Sequence, residues 1–323
     1  LETELIKQPD KEEEPSGNRK NKRKPKRKRK FWSYRYIYLL LLPGLLFFLV
    51  YKYLPMGGLI IAFQDYNPFQ GYTGSPWVGF EHFATIFESQ EVLRVIWNTL
   101  VLSFLQIFIS FPFSIVLALM LNEVRNQIYK RTIQSIVYLP HFLSWVIIVG
   151  LTVIFLRGEG IINDVITSFG FEAIPFLTSD EWFRPLITLQ NIWKESGWGT
   201  IIFLAAMAGV NPNLYEAAMI DGASRWRRIW HITLPAIRST IIILLILRLG
   251  NVMESGFEHI FLMLNPLNRD IGNVLDTFVY FKGIEQADYS FATAVGLFKG
   301  LVGLILVVAA NRLAKRFGEQ GLY

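Results

Sequence analysis

The chain contains no cysteine. That excludes disulfide staples, thiolate metal sites and cysteine nucleophiles. Histidine is almost as scarce. His82, His141, His231 and His259 lie far apart, so no metal-ligand spacing appears. There is no Gly-x-x-x-x-Gly-Lys-Ser/Thr phosphate loop to cradle a nucleotide. Nor do Ser, His and an acid fall in a recognisable hydrolytic order. Charge is also thin for a soluble domain, at 18% of 323 residues, and it is clustered rather than spread. What remains is apolar: 52% hydrophobic residues, with 26 Phe, 13 Tyr and 9 Trp, in long runs broken by short polar stretches. This composition predicts an all-α integral membrane protein.

The first 35 residues form a separate region. An acidic stretch at Glu12, Glu13 and Glu14 precedes a run from Arg19 to Lys30 that is nearly all Lys and Arg. Like charges at this density repel one another, so 1–35 is expected to be a disordered tail. Lying directly before an apolar span, it reads as a cytoplasmic, lipid-facing anchor, and no nucleic-acid partner is expected. A cleaved secretion signal is not expected either, because the apolar stretch ends at Tyr51-Lys52-Tyr53 with no small-residue cleavage site.

A bilayer core requires roughly 20 apolar helical residues. Six candidate spans satisfy this, together making a transmembrane domain over 36–310: Tyr36–Tyr53, Ile96–Leu121, Ile133–Leu156, Pro185–Val210, Ala236–Leu262 and Phe291–Ala310. The fourth is interrupted by Gln190, Asn191, Lys194 and Glu195, as expected of a helix facing a polar interior. Basic residues cluster in alternate connections: Arg125, Lys130 and Arg131; Arg225, Arg227 and Arg228; Arg312, Lys315 and Arg316. The positive-inside rule then predicts a multi-pass plasma- or inner-membrane protein with both termini cytoplasmic, 311–323 being a C-terminal tail.

Between the fourth and fifth spans, 211–235 carries its own signals. Asn211 suits a helix cap and Pro212 a first helical position. Asp221-Gly222 should end that helix, glycine readily taking the left-handed terminal conformation, and Ser224 can cap a second short helix. Ala217 and Ala218 leave a slim surface. Such a hairpin fits either a groove on a partner protein or the lipid headgroup layer, and the physics alone does not choose.

The string Glu216-Ala217-Ala218, three residues, Gly222, and then Ile232-Thr233-Leu234-Pro235 resembles the EAA loop of binding-protein-dependent ABC importer permeases. The extended form Glu-Ala-Ala-x-x-Asp-Gly-Ala is present in full, including Asp221. Trp77-Val78-Gly79-Phe80 and Asn98-Thr99-Leu100 look like signatures of the type I, MalF-like sugar permeases. The segment from Phe291 to Lys299, with the Asn311–Arg316 end, is similar to the LplB-like subgroup for complex oligosaccharides such as alginate and rhamnogalacturonan. One departure is Asn265-Pro266-Leu267 in place of a Gly-Gly-Pro often found after the fifth span, which weakens an inference to maltose-like substrates but not the resemblance to the family.

The resemblance implies a type I permease fold with six transmembrane helices and a cytoplasmic EAA coupling hairpin. It also implies a set of partners: a second homologous permease, two ATP-binding-cassette ATPase subunits, an extracytoplasmic solute-binding protein and a sugar or oligosaccharide. ATP and Mg would belong to the ATPases, with no cofactor in this chain and no enzymatic activity of its own. Glu216 would hold the docked helix, Ala217 and Ala218 allow close approach, and Asp221-Gly222 set the bend. The outward loops 54–95 and 157–184 would receive the solute-binding protein.

Polar and aromatic groups within the spans are the candidates for the substrate pathway. In the fifth span Arg248, Asn251, Glu254, Ser255 and Glu258 recur at helical spacing and predict one stripe. The fourth offers Asn191, Trp193, Lys194, Glu195 and Trp198, the second Gln106, and the third His141. The bland alternative is that these groups bond helix to helix. An ion-coupled secondary carrier is the rival function. It would predict inverted repeats and broken helices with buried acids, and no duplication is visible.

Overall fold

The computed structural model describes residues 34–316 and 318. The basic tail expected over 1–35 therefore lies almost wholly outside the described residues. Among those residues the chain is helical, its one β feature an isolated bridge between Gln64 and Trp77. It divides into two units, 1–57 and 58–323.

In the first unit the helix Arg35–Phe48 passes into a wider π turn at Leu49–Tyr53. Its side chains are exposed along its length and overwhelmingly apolar.

The second unit is built around five helical segments. Ser89 caps the first, its Oγ accepting the Val92 amide at 3.4 Å, and the helix runs Gln90–Leu105. A π turn at Gln106–Ser110 follows, then Phe111–Glu123. Pro112 accounts for the turn, since it has no N–H for the carbonyl one turn back and its ring crowds that carbonyl. This span begins six residues earlier than expected, so much of the expected outward loop 54–95 is helical, with further turns at Leu54–Phe63 and Glu81–Glu88.

The expected third span, 133–156, is broken. Gln127–Tyr138 ends in a tight turn at Leu139–Phe142, and Trp145–Leu156 starts afresh with Ser144 as its cap. Pro140 supplies the reason. The fourth segment, Asp180–Ala208, is one uninterrupted helix of 29 residues. It buries Gln190, Asn191, Lys194 and Thr200 together with Phe183 and Phe203, so its polar stretch faces protein. Gly197 lies where a Cβ would collide with the Val137 carbonyl, which is what lets this helix press against the end of the 127–138 helix.

The expected fifth span is likewise not one helix. After a 61° bend at Ile237, Arg238–Gly250 ends in turns at 251–256, Gly256 takes φ +87°, and Phe257–Met263 resumes. The predicted stripe from Arg248 to Glu258 is therefore split across a break. The final helix, Tyr289–Arg316, overruns the expected 291–310 at both ends, so residues expected in the C-terminal tail are helical.

Among the described residues four helices are long and apolar enough to cross a membrane, or five if the bent pair around Ile237 is one span. The 180–208 helix is long enough, at about 43 Å from the usual rise per residue, but its polar middle leaves it outside that set. Three apolar clusters hold the unit together, centred on Phe183 and Ile187, on Leu275 and Phe278, and on Phe111 and Phe203.

Candidate functional site

The 90–123, 180–208 and 238–254 segments enclose an open cavity of about 330 Å³. Each contributes polar groups among apolar ones, because each is locally interrupted there or carries its polar stretch there. The π turn supplies Gln106, the polar middle of the 180–208 helix supplies Glu195 and Trp198, and the end of the 238–250 helix with the turn after it supplies Arg248, Asn251 and Glu254. The Arg248 guanidinium rests 5.6 Å from the Phe111 ring centre. Gln106 Nε2 reaches the Ser255 carbonyl at 3.5 Å. An aromatic ring with a fringe of amides, carboxylates and one guanidinium can hold an amphipathic solute such as a sugar, stacking its C–H face and hydrogen-bonding its rim.

Six of the candidate pathway residues thus meet at one cavity: Gln106, Glu195, Trp198, Arg248, Asn251 and Glu254. Others lie elsewhere. Asn191 is buried one helical turn from Glu195, its Oδ1 without a hydrogen-bond partner. Trp193 borders a different, mainly apolar groove beside Ile148 and Leu189. Lys194 is buried and points elsewhere, its Nζ donating to the His141 carbonyl at 2.8 Å and to the Leu143 carbonyl.

One group of charges escaped the sequence reading. Lys299, from the last helix, bonds Asp276 and lies 3.6 Å from Glu254, while Asp276 Oδ2 accepts the Ser255 amide at 3.3 Å. This cluster ties the broken stretch 251–256 to its neighbours. A lone Lys299 within an apolar run was the signal available. The Asn98-Thr99 pair has a similar tying role. The Asn98 side-chain amide donates to the carbonyls of Asp270 and Asn273, and Thr99 Oγ1 accepts the Leu275 amide at 3.0 Å.

The second candidate lies at 211–235. Asn211 caps the helix Pro212–Ile220 by accepting the Asn213 amide at 3.0 Å, and Ser224 caps Arg225–Arg228. Between them Gly222 takes φ +74°, with its amide on the Met219 carbonyl and Ala223's on Ala218's. The left-handed conformation costs any other L-residue roughly 1–2 kcal/mol. Tyr215 and Thr233 hydroxyls, 3.0 Å apart, join the two limbs. Glu216, Ala217, Asp221 and Gly222 are exposed, with Ala218 half-buried, and they are flanked by exposed Ile220, Trp226 and Trp230. An exposed apolar rim of this kind marks an interaction surface.

Residues 110–319 match the model of the family described as binding-protein-dependent transport system inner membrane component. Two relatives from Bacillus subtilis (strain 168) are each 54% identical over 285 residues, covering 88% of this chain. They are protein LplB, of which 90% is covered, and the polygalacturonan/rhamnogalacturonan transport system permease protein YteP, of which 89% is covered. The fold is similar to a chain of a bacterial alginate ABC transporter solved with its alginate pentasaccharide-bound periplasmic protein. There the TM-score is 0.86 at 42% identity, over 92% of this chain and 100% of that one. A second structure, of a transporter that imports the acidic polysaccharide alginate, gives 0.84 at 44% identity, over 89% and 98%.

Proposed function

This chain belongs to the binding-protein-dependent transport system inner membrane components, and we propose that it builds half of a sugar pathway driven by ATP hydrolysis on other subunits. It is a permease subunit of an oligosaccharide ABC importer, a membrane-spanning component and not an enzyme by family. An ion-coupled carrier is not favoured.

The finer reading rests on one observation: the cavity of about 330 Å³ collects an aromatic face, two carboxylates, two amides and a guanidinium from three spans. A second homologous permease would complete the pathway. The six-span topology, with both termini cytoplasmic, is supported by the alternation of basic connections and by the unbroken 180–208 helix. The 211–235 hairpin is the handle. Its slim Ala217–Ala218 surface would enter a groove on the ATPase, Glu216 would hold it, and Gly222 would fix the turn. ATP-driven closure of two ATPases would drag two such hairpins and switch the pathway between sides. A solute-binding protein would deliver the oligosaccharide from outside, and complex, acid-bearing oligosaccharides are the substrates its relatives' names favour.

Reconstitution tests this. With the second permease, the ATPases and the binding protein in proteoliposomes, uptake of a uronic-acid pentasaccharide should require ATP. Uptake at the same rate with nucleotide absent and only an ion gradient present refutes it.

A further inference from the structure

Residue His141, which lies in the break of the third span beside the cavity, is gripped at three points by one helix. Lys194 Nζ donates to its carbonyl at 2.8 Å. Glu195 Oε2 lies 3.2 Å from its Nδ1, at ion-pair distance though without hydrogen-bond geometry. Trp198 stacks on its ring, centroids 4.7 Å apart and planes 8° from parallel. Lys194 and Trp198 are one turn apart on the 180–208 helix, and Glu195 shares their side of it.

Two of these three gripping residues line the cavity, while His141 does not. Trp198 has one face covered by the imidazole, yet the residue is 47% exposed, and it lines the cavity. Glu195, similarly, is a cavity carboxylate with one oxygen beside His141. An unsupported indole or carboxylate on a cavity wall samples several rotamers, and ordering each on binding costs conformational entropy. A backing group removes that cost before the ligand arrives.

The backing group is itself held. The buried Lys194 ammonium bonds the His141 and Leu143 carbonyls, which lie where the 139–142 turn ends and the 145–156 helix has not yet begun, and it lies 5.3 Å over the Trp145 ring. Trp145 in turn stacks on His259 at 3.7 Å, and His259 Nε2 is 2.6 Å from Gln190 Oε1. The break is thus fixed from below by a buried polar and aromatic network and presents one imidazole to the cavity wall.

We propose that His141 is the positioning residue of this wall, touching no sugar itself and setting the orientation of the two groups that do, Trp198 and Glu195. The proposal rests on the cavity being the sugar pathway. It also predicts separable rescue. Phe at 141 keeps the stack on Trp198 and loses the nitrogen facing Glu195. Asn keeps a nitrogen near the Nδ1 position and loses the stack. Ala keeps neither.

The test uses the full transporter in nanodiscs, with His141→Ala, His141→Phe and His141→Asn made in wild-type and Trp198→Phe backgrounds. The difference in tryptophan emission between backgrounds isolates Trp198, and acrylamide quenching reports its exposed faces. His141→Ala and His141→Asn should raise the quenching constant of that component about twofold, while His141→Phe holds it near wild type. ATP-dependent uptake of a uronic-acid pentasaccharide should fall at least tenfold in His141→Ala and be partly restored by each of the other two. Unchanged quenching in His141→Ala overturns the proposal, as does an equal loss of uptake in all three variants. If quenching behaves as expected but Trp198→Ala transports like wild type, the positioning stands and the pathway reading fails.

Discussion

Replacing Gly197 with Ala is the sharpest test of how the 180–208 helix is seated. In isolation the change should help, because alanine is favoured over glycine in a helix interior by about 0.8–1.0 kcal/mol. Here the added methyl would overlap the backbone carbonyl of Val137 and also meet Val137 Cγ1 at 3.1 Å. A backbone carbonyl cannot rotate away, so the helices must part, and overpacking of this kind costs about 1–3 kcal/mol. Displacing Val137 also pulls on the bend at 139–144, where Lys194 bonds two carbonyls. An overlap with backbone takes the upper end of that range, so after the propensity gain a net loss of about 2 kcal/mol is expected. Gly199→Ala meets only the Ser114 side chain, at 2.9 Å, and should cost less. Gly296→Ala meets nothing within 4 Å and should be neutral or stabilising. Thermal denaturation of the purified assembly, followed by loss of the monodisperse peak, ranks the three. A Gly197→Ala protein as stable as wild type would refute the close approach.

Other substitutions probe separate parts of the account. Glu216→Ala or Gly222→Pro should abolish ATP-coupled uptake while membrane insertion, measured by fractionation, stays intact; normal coupled uptake removes the docking role. Gly222→Ala meets no atom within 4 Å, so it should carry only the backbone penalty of about 1–2 kcal/mol and a partial loss of uptake. Trp198→Ala or Glu254→Ala should alter oligosaccharide uptake much more than Trp193→Ala, which lies on another groove; equal effects would argue against the cavity as pathway. Lys299→Met leaves Asp276 unpaired where both side chains are under 20% exposed, a loss of up to about 3–5 kcal/mol that Asp276→Asn in the same chain should partly recover. Strictly additive losses in that double variant would mean the two groups do not act as a pair.

The apolar runs of the second and sixth spans, and the caps and turn of the 211–235 hairpin, were legible because each depends on local chemistry: hydropathy, Asn211, Pro212, Gly222 and Ser224. The break in the third span was marked by Pro140, yet hydropathy ran through it undisturbed. The break in the fifth was hidden, because polar residues at 248, 251, 254, 255 and 258 copy helical spacing while the backbone there turns and reverses hand at Gly256. On the fourth span, spacing alone separates Trp193 from Glu195 by about 200° around the helix, which agrees with their different surroundings. Asn191 shares the side of Glu195 and Trp198 and is nonetheless buried; periodicity finds a face and does not say how far a neighbour covers it. The Lys299 cluster and the grip on His141 depend on contacts across 21 to 57 residues of chain, beyond what any local pattern encodes.

This sequence has no cysteine, so one introduced at Asn251 is its single thiol and reports on the cavity when the partner subunits are also freed of cysteine. In the assembled transporter an impermeant maleimide should reach it from the cytoplasmic side without nucleotide, and from the outer side when ATP is trapped in the ATPases. Labelling from the same side in both states would contradict alternating access through this cavity.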